Sequence, residues 1–152
     1  QLFLSAFEFY LYGEMEKCHD KTLAAIASKT LKEVRYHLEH ASDWTIRLGD
    51  GTPESHHRMQ NAINELWMYT GELFEMDEVE MTLMRDGIAV DLIPVKTQWY
   101  NRIKHVLAEA TLVMPEDSYM QTGSRKGVHT EHLGHILAEM QYLQRAYPDA
   151  IW

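Results

Sequence analysis

Apolar side chains recur at spacings of three and four along most of this sequence. No stretch sustains the two-residue alternation of a half-buried strand. The opening segment, QLFLSAFEFYLYGEMEK, is apolar on nearly every side through Tyr12. That pattern predicts a helix buried against several neighbours. One charge, Glu8, interrupts it. Asp20 can cap a longer helix running to about Leu48, in which Leu23, Ala27, Leu31, Val34, Leu38, Ala41 and Leu48 mark one stripe. Gly49 is expected to supply a left-handed stop, with a tight turn at Asp50-Gly51.

Thr52-Pro53 reads as the N-cap and first position of a third helix. Its stripe is Met59, Ile63, Leu66, Thr70 and Leu73, flanked by Trp67 and Phe74. Asp77 to about Arg85 predicts a short fourth helix closed by Asp86-Gly87. Pro94 starts another, with Trp99, Ile103, Val106 and Ala110 inward. Residues 113–128 read as a loop broken by Pro115, Gly123 and Gly127, with a basic tip at Ser124-Arg125-Lys126. Thr130 can cap a last helix carrying Leu133, Ile136, Leu137, Met140 and Leu143 inward, and Pro148 ends it. The expected fold is therefore all-α, built from long antiparallel helices.

Composition narrows the function more than the fold. The chain has 152 residues, one domain's worth, and 45% of them are hydrophobic. A net charge of −9 argues against nucleic acid or an anionic membrane as the main partner, since both reward basic patches. The single cysteine, Cys18, excludes an internal disulfide, fits a reducing compartment such as the cytoplasm, and reads as an inert buried thiol. No apolar run reaches the ~20 residues of a membrane span, and no signal peptide is visible. The sequence opens inside a hydrophobic segment, so we expect the carboxy-terminal part of a longer protein, a single domain with helices lying before Gln1.

The chemistry worth testing lies in KTLKEVRYHLEH, residues 29–40. A carboxylate-bridged di-metal centre in a helical bundle takes one Glu from each of two helices and a Glu-x-x-His pair from each of two others. Residues three apart project the same way, so both reach one metal at about 2 Å. With Val34 at the centre of the apolar arc, His37 stands about 60° to one side and Glu33 about 100° away, at the edge. Tyr36 is on the outer face. The inward pair is Val34 and His37, and valine cannot coordinate a metal. Glu33 is left to pair with His37 or with Lys29, in a satisfied polar cluster.

Glu8 is the other suggestive carboxylate. Across an antiparallel hairpin its depth differs from that of Val34 by only ~7 Å, so the two can share a layer. The simpler reading makes it a buried Glu neutralised by a basic side chain of a neighbouring helix. HTEHLGH offers His129, Glu131, His132 and His135, but in the first turn of a helix, where solvated side chains are the plainer reading. His56 and His57 adjoin an N-cap, point in different directions and are expected at the surface. Arg125 and Lys126 could clamp an anion or a partner's carboxylates, or simply form a solvated turn. No Gly-rich phosphate loop follows a strand, and no Ser or Cys nucleophile has a visible base.

Three stretches carry a resemblance: KEVRYHLEHASDWTIRLGDGT; MQNAINELWMYTGELF with the following DGIAVD; and above all GSRKGVHTEHLGHILAEMQYLQR. Over most of the chain from Ser28 to Arg145 the sequence resembles the structural C-type subunits of bacterial phenylacetyl-CoA epoxidase, a multicomponent oxygenase of aerobic phenylacetate degradation. That resemblance implies a ferritin-like bundle and a hetero-oligomer. A related catalytic subunit would hold di-iron, with a small bridging component and a reductase completing the system, and the isolated chain could dimerise. Catalytic relatives carry Lys-Glu-Glu-x-x-His where this chain reads Lys32-Glu33-Val34-Arg35-Tyr36-His37. Glu8, Glu33, Val34 and His37 are then positions of a vestigial site, with no metal, cofactor or catalytic residue expected on this chain. Trp67, Trp99, Tyr69, Met68, Met76 and Met84 are candidates for the partner surface or for ordinary core. The competing function is an independent ferritin-like di-iron oxidase or iron-binding protein.

Overall fold

A computed structural model of the chain describes residues 1–116 and 119–151. It divides into two compact units, Gln1–Gln121 and Thr122–Trp152. Among the described residues there are helices and loops and no strand.

The first unit begins with α1 (Leu2–Met15) and α2 (Lys21–Gly49). Asp20 caps α2 by accepting from Thr22 N and Leu23 N, at 2.8 and 3.0 Å. The connection is too short for anything but a reversal, so α1 packs back along α2 as an antiparallel hairpin. α3 (Pro53–Trp67) follows another tight turn, with Thr52 accepting from Ser55 N at 3.2 Å. α4 (Glu78–Arg85) opens with a reciprocal capping box between Asp77 and Glu80. α5 (Leu92–Glu109) closes the unit, packed on both α1 and α2. These long helices make the all-α bundle that the ferritin-like reading calls for.

The core is aromatic at its centre. Trp67 and Trp99 stack with centroids 5.7 Å apart, and Phe3 meets both rings, at 5.6 and 6.0 Å. Trp99 Nε1 donates to Phe3 O at 2.8 Å, so the buried indole leaves no donor unpaired. Ile103, Val106, Leu107 and Ala110 continue the α5 face. Both tryptophans are therefore core, only 5% and 2% exposed, and not partner surface. Tyr69 is exposed, and Met68, Met76 and Met84 are half-buried.

Several local expectations are corrected. Gly49 is the last residue of α2 and is not left-handed. Its role is close approach: a Cβ there would stand 2.8 Å from Ala110 Cβ and collide with Ala110 O. α3 stops at Trp67, short of Leu73, because Thr70 turns its hydroxyl back onto Trp67 O at 2.8 Å; a 3₁₀ turn, Gly71–Phe74, follows. Leu66 is exposed, and Trp67 takes its place in the core. α5 begins two residues before Pro94, on an Asp91 side chain that accepts from Ile93 N. On α1, only Leu2, Ser5 and Ala6 are buried and Leu4 is 46% exposed, so its greasy circumference is incompletely covered.

The loop expected at 113–128 is observed, apart from residues 117–118, which lie outside the described residues. In the second unit, α6 (Glu131–Met140) and α7 (Tyr142–Ala146) replace one continuous helix, because Gln141 leaves helical geometry at φ −96°, ψ −2°. Thr130 has extended N-cap geometry but makes no side-chain cap. Ile136, Leu137, Met140 and Leu143 are exposed, not inward as their spacing suggests. Among the described residues, no helix is long and apolar enough to cross a membrane.

Candidate functional site

The register of α2 decides which side chains can act together. Val34 is buried at 4% exposure, and Ala27, Leu38 and Ala41 line the same face. Glu33, Tyr36 and His37 are all exposed. The buried arc is broader than the apolar stripe because Ser42, Thr45 and Gly49 also face inward. Those three pull its centre about 30° from Val34, away from His37. Thr45 can be buried because its hydroxyl donates to Ala41 O at 2.8 Å. His37 thus leaves the apolar arc, and the buried cluster expected around Glu33 does not form. Glu33 makes no ion pair with Lys29 or His37 among the described residues.

Glu8 and His37 do come together across α1 and α2. Glu8 is half-buried, and burial raises its carboxyl above the ordinary value of 4.5. The charge of His37 acts in the opposite direction, lowering it. The desolvation effect is the larger. The depth match between Glu8 and the Val34 layer is consistent with this coupling.

A metal needs more than these two donors. Among the described residues, no group of three or more His, Cys, Asp or Glu side chains could hold a metal ion. Val34 fills the inward position where a carboxylate would be required, and Glu33 points to solvent. The donor set does not fit a di-iron centre.

The remaining candidates are scattered. His129, Glu131, His132 and His135 are all exposed. Arg125 and Lys126 are exposed on a 3₁₀ turn, Ser124–Lys126, between Gly123 and Gly127 at φ 104° and 81°. Such angles suit glycine. Cys18 is buried, and its thiol donates to Asp20 O at 3.2 Å. His57 is exposed beside Asn61, as expected of a surface residue. His56 is half-buried, and its Nδ1 donates to Gly49 O at 2.7 Å. It closes the carboxy end of α2, where surface exposure alone was expected.

Sequence reasoning also missed an outer ladder on α2. Tyr36 stacks on His40 at 5.8 Å, His40 meets Trp44 at 6.4 Å, and Arg47 lies over Trp44 at 5.6 Å. The i, i+4 spacing of three rings was the available signal. His40 and Trp44 also line an apolar cleft of about 320 Å³ with Phe3, Met59, Ile63 and Leu66.

Comparison with known proteins gives these positions a context. The family described as phenylacetic acid catabolic protein matches residues 1–152. The chain is similar to the C-type subunit of 1,2-phenylacetyl-CoA epoxidase from Escherichia coli (strain K12), with 45% identity over 152 residues. That match covers 100% of this chain and 61% of the relative, so the chain spans less than two thirds of the relative's length. It belongs to the phenylacetic acid catabolic protein family.

Proposed function

We propose that this chain serves as a structural, non-catalytic subunit of a phenylacetyl-CoA epoxidase, in the cytoplasm of a bacterium. It holds the di-iron catalytic subunit in shape within a hetero-oligomer that also includes a small bridging component and a reductase. One observation carries the non-catalytic half of this reading: Val34, buried and inert, stands where the inward register of α2 would need a ligand. The Escherichia coli relative, itself named as one subunit of such an epoxidase, supports the assignment to a complex. The incompletely covered apolar surface of α1 and the exposed aromatic ladder of α2 suit a chain that works against a partner.

The reading is tested by assaying epoxidation of phenylacetyl-CoA by the catalytic subunit, with its reductase, in the presence and absence of the full-length chain. Activity and solubility of the catalytic subunit are expected to depend on the chain, while the chain with reductase alone stays inactive. Turnover by the chain without the catalytic subunit would instead favour an independent di-iron oxidase.

A further inference from the structure

Of the 14 lysine and arginine side chains, every one is exposed except Arg102, which is half-buried. It projects from the middle of α5 at the seam with α2, where Nη2 donates a long hydrogen bond of 3.4 Å to Ser42 Oγ. Its Nε is buried and has no acceptor. The ion pairs among the described residues are Lys17–Glu14, Arg58–Glu54 and His105–Glu109, none of which involves Arg102. The chain carries 23 Asp and Glu, yet none of those described reaches its one half-buried cation. Arg35 and Arg47, by contrast, are exposed and lie over the rings of Phe9 and Trp44. A guanidinium that has lost water without gaining an anion is unfavourable, and its natural complement is a negative group brought from elsewhere.

The surroundings select the kind of anion. One planar guanidinium matches one carboxylate, through two parallel hydrogen bonds. A phosphate site calls for several donors or the start of a helix, whereas Arg102 lies mid-helix with one serine hydroxyl beside it. The net charge of −9 further disfavours a multiply charged anion. We infer that Arg102 anchors a carboxylate side chain of the partner subunit, which packs along the α2–α5 seam. This rests on the subunit role proposed above.

The test uses the full-length chain and the catalytic subunit. Arg102→Met is expected to leave the melting temperature of the isolated chain unchanged or higher, because it removes a half-buried charge that has no counter-ion. The same change is expected to weaken the complex about thirtyfold or more, and to flatten its dependence on salt. Arg102→Lys recovers part of that loss, since it keeps the charge but not the planar fork. An unchanged complex, or a melting temperature that falls in the isolated chain, overturns the inference. So does inorganic phosphate that binds the wild-type chain and not Arg102→Met while the complex is unaffected. A wild-type chain that fails to associate at all removes the proposed subunit role, and this inference with it.

Discussion

At the scale of single residues, Val34 and Glu8 carry the argument. The inertness of position 34 was legible in the sequence, because helical geometry places it inward whatever surrounds it. The exposure of His37 was not. A search for apolar positions passes over Ser42 and Thr45, which are buried because they are small and because Thr45 satisfies its hydroxyl within its own helix. Introducing a carboxylate at position 34 should not restore function. Val34→Glu is expected to lower the melting temperature, by burying a charge, and to leave epoxidation by this chain at zero; turnover by that variant alone would contradict the account.

Glu8 gives a prediction with a definite sign. Its folded-state carboxyl is raised above 4.5, so the folded chain holds this proton more tightly than the unfolded chain does. The stabilising effect is fully present below the unfolded value and is lost as pH rises through the raised folded value. Glu8→Gln should therefore match wild type below pH 4.5 and be the more stable of the two at neutral pH, as read by thermal unfolding across that range. His37→Ala should move the Glu8 titration further upward in an NMR measurement, since the opposing charge is gone.

At the scale of elements, the helices themselves were the legible part. Period, caps and breakers located each long helix of the first unit to within a few residues, except where tertiary contacts overrode local signals. α3 ends at Trp67 because of the Thr70 hydroxyl and the burial of a tryptophan, neither of which changes the periodicity of the stripe. The role of Gly49 also depended on a neighbour distant in the chain, since α5 brings Ala110 against it. Gly49→Ala is accordingly expected to cost about 1–3 kcal/mol by overpacking this crossing, measurable by urea unfolding. Asp20→Ala, which removes the acceptor for Thr22 N and Leu23 N, should cost about 1 kcal/mol. A Gly49→Ala variant as stable as wild type would mean that the α2–α5 crossing is looser than described.

At the scale of the whole molecule, apolar surface dominates. Exposed hydrophobic side chains taken singly are ordinary, but here they recur on Leu4 of α1, Trp44 of α2 and Met140 of α6. In α6 the apolar stripe was legible from spacing, while its burial was not, because periodicity says that a face exists and not what covers it. The same limit applies to Arg102, whose missing counter-charge emerges only once α2 and α5 are packed.

The central claim is that this chain supports iron chemistry without holding the iron. Its most direct test is metal analysis of the full-length chain and the catalytic subunit, each purified alone from iron-replete cells and then as a complex. The account predicts iron in the catalytic subunit and in the complex, and none in this chain. Two equivalents of iron in this chain alone would contradict it.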